Sequence, residues 1–94
     1  MTAPDDKRIH FQPGTVVATV GATMVATPEQ LAALVRRHLS GDWGDVDAGD
    51  AKANENAVKW GERVLSSYKI GDEKLWVLTE ADRSATTVLT PGEY

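Results

Sequence analysis

The residues best suited to chemistry stand together near one end of the chain: Thr79, Glu80, Ala81, Asp82, Arg83 and Ser84, followed by Thr86 and Thr87. Arg83 could hold an anion while Glu80 or Asp82 takes a proton. With His38 and Tyr68 added for acid–base work and charge stabilisation, the group would suit a small nuclease-like or phosphodiester-processing enzyme. The same residues also make an ordinary solvated hairpin bend. Asp82 would then close an Asx-type turn, and Arg83 would pair locally with Glu80 or Asp82.

A second cluster, Asp42, Asp45, Asp47 and Asp50, offers the carboxylate oxygens a hard cation prefers. Its spacing does not fit a calcium loop. If Asp45 is the first ligand, Gly49 falls where the fifth should be, and Asn56 stands in place of the bidentate glutamate. Asp42, Asp45 and Asp47 are therefore better read as residues that cap a following helix and favour its positive end. Trp43 sits in this acidic loop, either as a partner-facing anchor or folded back over the core edge. His10 and His38 are the only histidines. No spacing gives His38 metal partners, so it is expected at the core edge near a helix C-terminus. Tyr68 reads as a half-buried strand tyrosine.

The totals narrow the choice. A chain of 94 residues is one domain's worth, and a compact core leaves little room for a deep cavity. Hydrophobic residues make up 41% and charged residues 26%, ordinary for a globular protein. A net charge of −4 argues against broad nucleic-acid binding, which needs a basic face. There is no cysteine, hence no disulfide framework and no thiolate metal site. The first ten residues lack the apolar run of a signal peptide, and no stretch reaches membrane-spanning length. A cytoplasmic protein with no cofactor is the expectation. No phosphate-binding glycine loop, nucleophile elbow or zinc-binding motif is present.

These residues need elements to position them. Residues 1–10 read as a flexible tail, and residues 11–94 as a single globular domain that begins where Phe11 tucks in. Residues 15–19 (TVVAT) are a strand. Residues 20–26 (VGATMVA) could extend it or form a helical turn, with Gly21 favouring a break. Residues 27–40 are the clearest helix. Thr27 and Gln30 form a capping box around Pro28, Arg36, Arg37 and His38 close the last turn, and Gly41 follows. A second helix starts near Asp47 or Asp50 and stops at Gly61. Residues 63–70, 74–79 and 85–90 alternate as strands, joined by a tight turn at Gly71 and by the polar bend.

Several of these segments also form a recognisable set: His38-Leu39-Ser40-Gly41-Asp42-Trp43-Gly44-Asp45, then Asn54, then Arg63-Val64-Leu65-Ser66-Ser67-Tyr68, then Trp76-Val77-Leu78-Thr79-Glu80-Ala81-Asp82-Arg83-Ser84 with Thr86-Thr87-Val88-Leu89, Pro91 and Tyr94. From about Val17 onward the chain resembles a family of small bacterial proteins, often labelled hypothetical or plasmid-related and found on mobile elements. The resemblance implies that Trp43, Asp82, Arg83, Thr86 and Thr87 belong to a fixed pattern. It implies no particular reaction. At Val20 the family tends to carry proline, and the departure weakens the case for a helical turn starting there.

The expected fold is α+β: a four-stranded, largely antiparallel sheet, made of a C-terminal three-stranded meander plus the N-terminal strand, packed by two helices on one face. Val16, Leu31, Leu34, Val35, Leu39, Val64, Trp76, Leu78 and Val88 should form its core. The expected function is a non-enzymatic protein-interaction module, monomeric or a weak homodimer, that meets an unknown protein partner through Trp43, Asp82, Arg83, Ser84 and Thr86. The alternatives are the phosphodiester-processing enzyme and an acidic nucleic-acid mimic of a mobile element. The catalytic candidates for the former are Glu80, Arg83, His38 and Tyr68.

Overall fold

The computed structural model describes residues 8–94, so most of the tail expected over residues 1–10 lies outside the described residues. His10 is already anchored, its N–H donating to the Leu39 carbonyl at 2.7 Å. Phe11 is buried in the core, as its position before the Pro13–Gly14 turn suggested.

The chain runs β1 (Thr15–Ala18), α1 (Val20–Val25), α2 (Pro28–Leu39), α3 (Ala48–Trp60), β2 (Val64–Ile70), β3 (Glu73–Thr79) and β4 (Ala85–Leu89), and ends in a 3₁₀ turn over Pro91–Glu93. The sheet order is β1-β4-β3-β2. The meander forms as expected, with β2–β3 and β3–β4 antiparallel. β1 lies parallel to β4, Thr15 opposite Ala85 and Ala18 opposite Val88. The fold is thus α+β with a mixed, mostly antiparallel sheet.

Among the described residues there are three α-helices rather than two. The ambiguous residues 20–26 hold α1, because Thr19 caps it: the Thr19 side chain accepts from the Ala22 N–H at 3.1 Å. Val20 is the first helical residue, a position that tolerates proline and valine alike. α2 begins with the complete capping box at Thr27 and Gln30. α3 starts at the Asp47 cap and ends at Gly61 in the left-handed conformation (φ 73°).

Alternation along the strands puts Val64, Ser66 and Tyr68 of β2 beside Leu75, Val77 and Thr79 of β3, and these beside Thr86 and Val88 of β4. This face is buried against Ala22, Leu34, Val35, His38, Leu39 and Ala57 from the three helices. Val16 and Trp76 depart from the expected core. Val16 lies on an edge strand that is exposed along its whole length. Trp76 occupies the opposite sheet face, half-buried, its ring 5.5 Å from that of Tyr94 in an edge-on contact. Leu78 is buried on that same second face, and Leu31 is only half-buried.

Candidate functional site

His38 is the most unusual residue of the interior. α2 carries it into the middle of the core, fully buried, rather than to the core edge. Its Nδ1 lies 2.6 Å from Ser66 Oγ, and its Nε2 lies 2.9 Å from Thr79 Oγ1. Thr79 Oγ1 is in turn 2.7 Å from Thr86 Oγ1, and Thr86 Oγ1 donates to the Pro13 carbonyl at 2.8 Å.

The hydrogen positions follow from the last link. A carbonyl can only accept, so the single hydroxyl hydrogen of Thr86 goes to Pro13. Thr79 must then donate to Thr86, and His38 Nε2–H must donate to Thr79. Nδ1 is left as an acceptor for the Ser66 hydroxyl. The buried histidine is the neutral Nε2–H tautomer, set by a carbonyl three links away. Burial, followed by the positive charge of Arg83, pushes its pKa down to about 3.

A serine hydroxyl 2.6 Å from an imidazole nitrogen has the spacing of an activated nucleophile. Ser66 and His38 are both sealed from solvent, so the pair closes a hydrogen-bonded core rather than meeting a substrate. Tyr68 is buried, not half-buried. Its hydroxyl donates to the Asp42 carbonyl at 2.6 Å, and burial holds its pKa above the ordinary phenol value.

The polar bend is also used internally. Arg83 does not pair with Glu80 or Asp82 through their carboxylates. Its guanidinium donates to the carbonyls of Glu62 (2.6 Å), Ala57 (2.9 Å), Glu80 (3.1 Å) and Ala81 (3.2 Å), and it lies 5.3 Å from the centre of the Phe11 ring. Ala57 lies in the last turn of α3 and Glu62 just past its Gly61 cap, at the negative end of the helix dipole; the Ala57 carbonyl also accepts from the Gly61 and Glu62 N–H groups. Arg83 thus caps α3 from the sheet. Its own backbone is left-handed (φ 60°), an uncommon conformation for a side chain of this size.

Glu80 pairs instead with Arg63 at 3.2 Å. Asp82 closes the expected Asx turn, accepting from the Ser84 N–H at 3.0 Å. The Ser84 contacts hold its carboxyl below the usual range. Thr86 is buried within the hydrogen-bonded chain, and the Ser84 carbonyl accepts from Thr15 N–H. Of the residues expected to bind, Trp43, Arg83 and Thr86 are engaged within the fold, while Asp82 and Ser84 stay exposed in the Asx turn.

The acidic loop resolves in the same way. Asp42 makes a two-pronged contact with Arg37 (2.6 and 3.3 Å), which lowers its pKa. Asp45 pairs with Lys74 at 3.2 Å; its pKa is lowered by Ser67 first and by Lys74 next. Asp47 caps α3 through the Asp50 N–H at 2.7 Å. No cluster able to hold a metal ion occurs among the described residues. Trp43 is not an exposed anchor. It is 6% exposed, its Nε1 donates to Glu55 at 2.9 Å, and its ring lies among Phe11 and His38.

This loop also closes one edge of the sheet. The Ser67 N–H donates to the Trp43 carbonyl (3.1 Å), and the Asp45 N–H donates to the Ser67 carbonyl (2.8 Å). Gly44, between them, has φ 77°, and a Cβ there would run into the Ser67 carbonyl and the Tyr68 ring. Further along β2, the Asn54 side chain takes both outward groups of Leu65, accepting from its N–H (3.2 Å) and donating to its carbonyl (2.7 Å).

What sequence reasoning missed is the surface at the opposite edge. Val16 (49% exposed), Val17 (46%), Val20 (76%) and Met24 (81%) are exposed along β1 and α1. A groove of about 440 Å³ between β1 and α2 is lined by Val16, Ala18, Pro28, Leu31 and Val35. The signal was available: no titratable residue occurs between His10 and Glu29. Comparison with family models, with curated proteins and with solved structures returns no match to this chain. No helix among the described residues is long and apolar enough to cross a membrane.

Proposed function

We propose that this domain is a non-enzymatic protein-interaction module, and that it binds through the apolar side chains exposed along β1 and α1 rather than through Trp43 or the Asp82–Arg83 bend. One observation carries the reading: Val16, Val17, Val20 and Met24 are exposed together on a stretch without a single titratable side chain. Exposed apolar side chains grouped in this way are a signature of a protein contact. The groups that could have served catalysis are engaged in holding the fold, His38 on Ser66 and Thr79 and Arg83 on four carbonyls.

Met24 is its own reporter, because exposed methionine oxidises readily to the sulfoxide. Its oxidation by hydroxyl radicals is to be followed on dilute protein, on concentrated protein, and on dilute protein in extract of the source cells. Slower oxidation in either of the latter two supports the reading. Equal rates in all three overturn it.

A further inference from the structure

The two edges of the sheet are treated in opposite ways. On β2, the outward backbone groups of Leu65 are taken by Asn54, those of Ser67 by Trp43 and Asp45, and the next outward position is the charged Lys69. Closing or charging an edge in this way prevents strand addition. On β1, the Thr15 N–H donates to Ser84 and the Thr19 N–H to Val88, so residues 15, 17 and 19 face β4. The N–H and C=O groups of Val16 and Ala18 therefore point away from the sheet, and no partner for them occurs among the described residues. The strand carries no charge, proline or bulge. It is the open, apolar edge that folded proteins ordinarily protect.

We propose that the β1 edge pairs antiparallel with β1 of a second copy of this chain, joining two sheets into one. This rests on the interaction-module reading and names its partner. The register is dictated by the free groups. Val16 exchanges both backbone hydrogen bonds with Ala18 of the second copy, and Ala18 with its Val16. The two-fold axis then passes between the two Val17 residues, which face each other in the close, non-hydrogen-bonded position.

Charge favours a second copy over a foreign segment. Two chains of net charge −4 repel, and an isologous contact brings each residue near the axis against its own twin. Such a contact needs residues without charge near the axis, and Val16, Val17 and Ala18 supply them; the Glu93 carboxylate, which accepts from Thr19 and Gly21, stands beyond the end of the strand. The strand is only four residues long, but Val20 and Met24 continue the apolar surface beyond its end. That remains below the roughly 800 Å² per partner of a tight complex, so the dimer is weak, with a Kd on the order of micromolar or higher.

The test is sedimentation of the full chain over a concentration series, wild type beside Val17→Lys. Val17 is half-exposed, so the lysine is compatible with the fold, and in the dimer it would meet its own twin. Wild type should pass from monomer to dimer, and V17K should weaken that step at least about tenfold. Amide exchange on the wild type gives a second readout that needs no variant. Protection of Val16 and Ala18 should rise with protein concentration, while that of Leu65 and Ser67 stays constant.

A monomer up to about 0.5 mM, with Val16 and Ala18 exchange independent of concentration, overturns the second copy as occupant. If Met24 is nevertheless protected in extract, the interaction module stands with a different partner; if it is not, both readings fall. Dimerisation that appears only after residues 1–7 are removed would also overturn the proposal, making the chain's own N-terminal segment the occupant.

Discussion

At the scale of single residues, His38 has a measurable consequence for stability. In the folded protein it stays neutral to about pH 3, against an ordinary value of 6.5. Below pH 6.5 the unfolded chain binds a proton at this residue and the folded chain does not. The stability this neutral histidine supplies is therefore complete above pH 6.5 and declines as pH falls from 6.5 towards 3. The slope is about 1.4 kcal/mol per pH unit for one proton. Denaturant unfolding between pH 7 and pH 5 should show this loss, and His38→Gln should flatten it. The lowered carboxyl groups of Asp42, Asp45 and Glu93 act in a lower window, as pH falls through the carboxylate range. Nitrogen-15 chemical shifts of the imidazole should report the Nε2–H tautomer. Thr86→Val removes the link that orients the chain, leaving the Pro13 carbonyl without this donor and the Thr79 hydroxyl hydrogen without an acceptor. It should cost about 1–3 kcal/mol in chemical denaturation. None of this was visible in the spacing of His38, because Ser66, Thr79 and Pro13 come from distant parts of the chain.

At the scale of elements, α3 is held from outside itself. Its buried contribution is small, chiefly Asn54 and Ala57, and Arg83 donates to the Ala57 carbonyl in its last turn and to the Glu62 carbonyl just beyond it. Arg83→Lys keeps the charge but loses the planar fan of donors, so it should destabilise by about 1–3 kcal/mol, read as a lower Tm. Asn54→Ala should cost a similar amount, about 1–3 kcal/mol, because both outward groups of Leu65 lose their partner. How well an element was legible depends on how local its determinants are. α2 was read closely because Thr27, Pro28 and Gln30 lie within one turn. α1 was not, because its sequence is rich in β-branched residues and its support is remote. Glu93 accepts from the Thr19 hydroxyl at 2.6 Å and from the Gly21 N–H at 3.1 Å. These contacts, with Thr90, pull the Glu93 pKa down to about 2. The bend was read correctly at Asp82, whose Asx turn spans two residues. At Arg83 the outcome differs: the acceptors are backbone carbonyls, two in the bend itself and two, on Ala57 and Glu62, at the end of α3.

At the scale of the whole molecule, the sheet has one finished edge and one unfinished edge. The alternation of β2, β3 and β4 made the meander legible. The parallel pairing of β1 was not, since a four-residue strand reads the same in either direction. Val16 was expected in the core for the same reason: alternation shows that a residue has a face, but not whether its strand lies at the border. The finished edge depends on Gly44. Gly44→Ala would push the loop away from Ser67, costing about 2 kcal/mol or more and exposing β2. The expected outcome is a lower unfolding midpoint together with concentration-dependent light scattering.

The parallel pairing also sets an order of events during synthesis. Thr15 meets Ala85, and Ala18 meets Val88, so β1 leaves the ribosome long before the strand it pairs with exists. The meander can zip up hairpin by hairpin as it emerges, because its contacts are near in sequence. β1 must wait, uncharged and unpaired, until Leu89 is free. For that interval a nascent chain carries the apolar edge on both of its sides, and neighbouring chains on one messenger would be the first partners it could meet.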